Sequence, residues 1–128
     1  MSWEHLATAL RDELQEKGGL VRLLTQQTEV LSRRDWAENL RLEELIKNQV
    51  AAVVRCRQTR ETVFAQAAQN FALPEKALSQ EVVTRFPEYV HPLLEALFWE
   101  VERLSGRLDD RLRQNHTLKE RFLAAAVP

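Results

Sequence analysis

Residues 35–71, Asp35-Trp36-Ala37-Glu38 followed by NLRLEELIKNQVAAVVRCRQTRETVFAQAAQNF, decide the fold class. Asp35 and Glu38 stand at the spacing of a capping box. The Asp35 carboxylate can accept from the free N–H of Glu38 while the Glu38 side chain reaches back to the Asp35 N–H. From Trp36 the apolar residues Leu40, Leu45, Ile46, Val50, Val53, Val54, Val63, Phe64, Ala67, Ala68 and Phe71 continue at helical spacing without a Gly or Pro. The stretch predicts one helix of ~35 residues, about three times the ordinary globular length. A helix that long without breakers needs a partner beside it, which points to a coiled-coil-like hairpin with the segment before it.

That preceding segment, Trp3 to about Arg33, has the matching period. Trp3, Leu6, Ala7, Leu10, Leu14, Val21, Leu24, Thr28 and Leu31 recur at three- and four-residue steps. Gly18-Gly19 interrupts it at a cost of ~1 kcal/mol per Gly relative to Ala, but the apolar phase is nearly kept across the pair. One long helix that bends or frays there, or two shorter helices, both satisfy the pattern.

Downstream, Leu73-Pro74 ends the long helix because the residue before a proline is driven out of the helical region. A short helix follows to Phe86, using Leu78, Val82, Val83 and Phe86, and Pro87 and Pro92 mark the entry into a last one. There Val90, Leu94, Leu97, Val101, Leu104, Leu108, Asn115, Leu118 and Phe122 fall on heptad-like steps. Strand patterns are absent. The sequence predicts an all-α, elongated antiparallel helical bundle in one domain, 1–128, with helices at about 3–33, 36–71, 75–86 and 89–125.

Composition narrows the function. With 128 residues, 45% of them hydrophobic, one core is feasible without staples. Eighteen basic residues against 19 acidic ones lack the basic excess of a nucleic-acid binder. A single cysteine, Cys56, allows no internal disulfide and suits a reducing compartment. The N-terminal residues lack a signal-peptide pattern, and the longest apolar runs, such as Val50 to Val54, fall far short of the ~20 residues of a membrane span. A cytoplasmic location without stable membrane insertion is expected.

Catalysis has no candidate constellation: no phosphate loop, nucleophile elbow, zincin motif or dinucleotide fingerprint is present, and neither enzyme activity nor a cofactor is expected. Glu88-Tyr89-Val90-His91 has the spacing of a di-iron ligand pair, but a bundle site needs two such pairs and two further carboxylates. Arg55, Arg57 and Arg60 read as a solvated face, and Cys56 as a small seam residue.

Asn115 lies on the apolar seam of the last helix, near Leu108, Leu112, Leu118 and Phe122. A polar residue there can set register or choose a partner, or can meet water where a helix frays. The stripe itself can fill the protein's own core or offer a surface to another protein's helix.

The segment Leu23-Leu24-Thr25-Gln26-Gln27-Thr28-Glu29-Val30-Leu31-Ser32-Arg33-Arg34-Asp35 resembles the N-terminal signature of the FlgN-type flagellar export chaperones. In that family a Leu pair and an acidic-Thr-acidic stretch lead to an apolar pair, a short break and an Asp, with a Leu and a Lys beyond, matched by Leu40 and Lys47. The Phe71-Ala72-Leu73-Pro74 break, the short Leu78-Ser79 helix and the proline-marked final helix are also similar. Asn115 and Leu118 match the second half of the family's Asn-x-x-Asn-x-x-Leu-Leu pattern. Gln27, Glu43 and Leu112 depart from it. The resemblance implies a cytoplasmic chaperone that binds the hook-associated proteins of the hook-filament junction, prevents their early assembly and delivers them to the type III export apparatus. It implies cargo contact through the last helix, hence through Leu108, Leu112, Asn115, Leu118 and Phe122. The alternative is a structural coiled-coil or adaptor protein that closes its seam by homodimerisation.

Overall fold

Gly18 and Gly19 do not divide the first helix. In the computed structural model, which describes residues 3–126, α1 runs unbroken over Trp3–Ser32. The 35-residue α2 spans Trp36–Asn70, the short α3 spans Ser79–Val83, a 3₁₀ turn covers Glu88–Val90, and α4 runs over His91–Ala126. The all-α reading holds. The short helix is five residues long, not the twelve of 75–86, and the last helix begins at His91 after the 3₁₀ turn.

Each long helix carries a strict heptad seam. On α1 the seam is Leu6, Leu10, Glu13, Lys17, Leu20, Leu24, Gln27 and Leu31, all buried. On α2 it is Asn39, Leu42, Ile46, Gln49, Val53, Cys56, Arg60, Val63 and Ala67, all buried or half-buried. A 3.5-residue repeat held this long keeps one stripe turned toward its neighbours, as in a left-handed coiled coil. The start of α2 differs in phase from the stripe expected of it: Leu40, Leu45 and Val50 are exposed, and Asn39 and Leu42 are buried in their place.

Direction follows from the pairs. Glu13 meets Arg60 and Gln27 meets Asn39, so α2 is antiparallel to α1. Lys17 meets Ser105 and Gln27 meets Asn115, so α4 runs parallel to α1, 88 residues out of register. α1 is the central helix and packs along both neighbours. α2 and α4 reach one another through long side chains: Phe64 against Phe98 (6.0 Å, edge to face), Lys119 to Glu43, and Trp36 stacked on Phe122 (5.0 Å).

The ends of α1 and α2 are closed in the same way. After α1, Arg34 takes a left-handed conformation (φ 58°), the Asp35 N–H donates to Val30 O and the Arg34 N–H to Leu31 O. After α2, Ala72 (φ 55°) does this with bonds from Leu73 to Ala68 O and Ala72 to Gln69 O. Both are Schellman closures, and both place a side chain where Gly is usual. Asp35 caps α2 by accepting from the Glu38 N–H at 3.1 Å. The capping box is only half formed, because the Asp35 N–H is spent on Val30 O and the Glu38 carboxylate turns to Arg41.

Gly19 has a packing reason. A Cβ there would lie 3.0 Å from Gln49 Nε2, which donates to the Glu16 carbonyl (2.9 Å) and carboxylate (2.6 Å). Without a side chain at 19, the amide of α2 can approach the backbone of α1.

Candidate functional site

The interior alternates apolar and polar layers along the axis. One apolar cluster, at the α1 N-terminal end, includes Leu6, Leu10, Ala67, Val82, Phe86 and Leu94. A second, farther along, comprises Leu20, Val21, Leu24, Val53 and Leu108. Between them, Glu13 accepts both nitrogens of the Arg60 fork (2.8 and 3.3 Å) and pairs with Lys17 at 2.7 Å. Lys17 in turn donates to Ser105 Oγ at 2.7 Å, joining all three long helices. Burial alone would raise the Glu13 carboxyl, but hydrogen bonds and charge from Arg60 and Lys17 overcome it and hold the group below the usual carboxylate range.

The second polar layer, beyond Leu24, is built on Asn115. Its Nδ2 donates to Leu24 O and Gln27 Oε1, both at 2.9 Å, and its Oδ1 accepts from the Thr28 hydroxyl at 2.6 Å. Gln27 Nε2 donates to Asn39 Oδ1 (3.1 Å) and Asn39 Nδ2 to the Glu43 carboxylate (3.3 Å), where Lys119 pairs. The order is physically determined. A carboxylate can only accept, so Asn39 must present its NH2 to Glu43, and each amide behind it is oriented in turn. Donation runs one way, from Thr28 through Asn115, Gln27 and Asn39 to Glu43. Among the described residues no buried side-chain polar atom lacks a partner.

Beside this layer an open cleft of about 490 Å³ lies between α2 and α4, with α1 as its floor. Leu24, Ile46 and Leu112 supply its apolar lining, and Glu43, Lys47, His116 and Lys119 its polar side, with Lys119 paired to Glu43. Of the five residues singled out in the sequence, Leu112 and Asn115 share this cleft. Only Leu112 is substantially exposed, at 43%; Asn115, at 2%, is seen edge-on from below. Leu108 belongs to the interior cluster, so neither it nor Asn115 forms part of an outer surface. Leu118 and Phe122 are half-buried, with Phe122 stacked on Trp36. At the observed register Ser32 lies level with Glu120, so α4 runs on beyond the end of α1, with Leu123 49% exposed.

The remaining motifs have structural places. The His91 ring nitrogen Nε2 donates to Phe86 O at 2.8 Å, tying the start of α4 to the preceding turn. Among the described residues no three His, Cys, Asp or Glu side chains converge as a metal site. Arg57 is exposed near Glu61, but Arg60 is half-buried on Glu13 and is not part of a solvated face. Burial, then the field of Glu16, Asp12 and Glu13, pushes the Cys56 thiol up, away from its reactive thiolate form. Among the described residues no helix is long and apolar enough to cross a membrane. Comparison with family profiles, curated proteins and solved structures finds no match to this chain.

Proposed function

We propose that this chain is a chaperone of the FlgN type: it holds flagellar hook-associated proteins in the cytoplasm, keeps them from assembling and presents them to the type III export apparatus. The observation that carries the reading is the distal part of α4. It extends past α1 and exposes Leu112 and Leu123 at and beyond an open, partly apolar cleft. A terminal segment of a secreted subunit loses ordering entropy when captured, and burial of its apolar stripe against Leu112, Ile46 and the α4 tip offsets that loss. Release must remain possible, which suits an affinity of about −8 to −12 kcal/mol, micromolar to nanomolar. Leu108 and Asn115 contribute by fixing α4 in register, and Leu118 and Phe122 by shaping its end.

The test is titration of the purified chain with hook-associated proteins. Leu112→Asp is expected to weaken binding by at least about tenfold while leaving helicity unchanged, because the residue is exposed. Full binding by the folded variant moves cargo away from the cleft. A stable homodimer that Leu112→Asp dissolves favours the adaptor reading instead.

A further inference from the structure

A second apolar surface lies at the other end of α4, about 35 Å from Phe122 at 1.5 Å per residue. Two clefts, of about 480 and 370 Å³, share Ser79, Phe98 and Glu102. Leu78, 67% exposed, lines the first, and Trp99, 61% exposed, lines the second. A tryptophan and a leucine this far out, separated by a half-buried phenylalanine, retain most of their apolar surface in water. Patches of this kind on a helical surface mark places where another chain packs, and tryptophan is the residue most enriched among binding hot spots.

The charge around the patch selects the visitor. Glu95 and Glu102 stand on α4 at the edges of the clefts, and among the described residues neither joins an ion pair. Two cations near the patch are already engaged. Arg60 is spent on Glu13, and Arg103 is held by Glu100 while resting 5.9 Å from the Trp99 ring. An apolar strip flanked by uncompensated carboxylates complements a helix whose apolar face is bordered by Lys or Arg.

We propose that the Leu78–Phe98–Trp99 face docks a cationic amphipathic helix of a partner protein. The site is remote from the cleft at Leu112 and does not depend on what that cleft holds, so two partners can be bound at once.

The probe is a pair of synthetic peptides of about five helical turns (~18 residues) with the same leucine stripe, one flanked by Lys and the other by Glu. Each is titrated calorimetrically into the full chain. The Lys peptide is expected to bind at least about tenfold more tightly than the Glu peptide, and to weaken as salt is raised. Trp99→Ala and, separately, Leu78→Ser should each weaken the Lys peptide about tenfold or more at unchanged helicity. Glu95→Lys combined with Glu102→Lys should reverse the peptide preference, and Leu112→Asp should leave it unchanged. Three results overturn the proposal: equal binding of the two peptides or none, undiminished binding by folded Trp99→Ala, or a dimer in light scattering that Trp99→Ala dissolves, which would make the occupant a second copy.

Discussion

Replacing Asn115 with Asp changes one NH2 for an oxygen and tests the polar layer at its centre. In the wild type, Asn115 Nδ2 donates to two oxygens, Leu24 O and Gln27 Oε1, from a position 2% exposed. An aspartate there would direct a buried negative charge at both acceptors. Rotating Gln27 to donate to the introduced carboxylate would turn its own oxygen toward Asn39 Oδ1, and rotating Asn39 would turn its oxygen toward the Glu43 carboxylate. The conflict moves along the chain without being resolved. Asn115→Ala removes the donor without adding charge. The Thr28 hydroxyl can fall back on Leu24 O at 3.0 Å, so the main orphan is Gln27 Oε1, worth roughly 1–3 kcal/mol with a small packing loss added. Asn115→Asp is expected to cost more at neutral pH, about 3–5 kcal/mol, as an uncompensated buried charge. Burial and the two facing oxygens also raise the pKa of the introduced carboxyl in the folded state above the unfolded value of about 3.9. Between those two values the folded variant holds a proton that the unfolded chain has lost. Its stability relative to wild type therefore falls with rising pH by up to about 1.4 kcal/mol per unit, and levels off above the folded pKa. Urea unfolding followed by circular dichroism from mildly acidic to neutral pH, with wild type and Asn115→Ala at each pH, gives the comparison. An Asp variant as stable as the Ala variant at neutral pH, with a difference that ignores pH, would show that water reaches Asn115 and that the layer is not dry.

The Glu13 layer makes its own statement about acid. Glu13→Gln should cost about 2–3 kcal/mol at neutral pH, less than the ~3–5 kcal/mol of breaking a fully buried pair, because Arg60 reaches solvent. The folded Glu13 pKa is depressed, so its stabilisation is complete above the unfolded carboxyl value near 4.3 and disappears as pH falls through the folded one. Urea midpoints of wild type and Glu13→Gln should therefore converge in acid, and a constant gap would refute the assignment. Two opposite substitutions should both stabilise: Gly106→Ala, where an added Cβ meets nothing within 4 Å, and Ala72→Gly, where φ is 55°. Each is expected to raise stability by about 0.5–1 kcal/mol, the first through helix propensity and the second through relief of left-handed strain, read as higher urea midpoints at unchanged slope.

The period of α4 is readable because its seam is almost wholly apolar: Leu94, Leu97, Val101, Leu104 and Leu108 announce themselves. The α1 seam is only half readable. Glu13, Lys17 and Gln27 look like solvent-facing residues, and only their place on the strict steps from Leu6 through Leu10, Leu20, Leu24 and Leu31 marks them as interior. A polar residue on an otherwise unbroken heptad is the available signal. The α2 phase is obscured for the complementary reason. Leu40, Leu45 and Val50 are large apolar residues on the exposed face, and the polar Asn39 stands inside, where its Oδ1 accepts from Gln27. Pairings across 47 or 88 residues cannot be read from local pattern. The exposed pair Leu78 and Trp99 is invisible for a different reason, since a sequence does not reveal which apolar residues the short α3 fails to cover.

The parallel placement of α4 on α1 has a consequence for how the chain is made. α1 and α2 are joined by a tight turn, so their hairpin closes through short loops and can form while α4 is still being synthesised. During that interval the third side of the hairpin stands open. Lys17 and Gln27 punctuate its greasy face, so the nascent molecule shows other chains a strip broken by hydrated groups. The same residues that fix the alignment of the finished protein interrupt the apolar strip that the half-made one exposes.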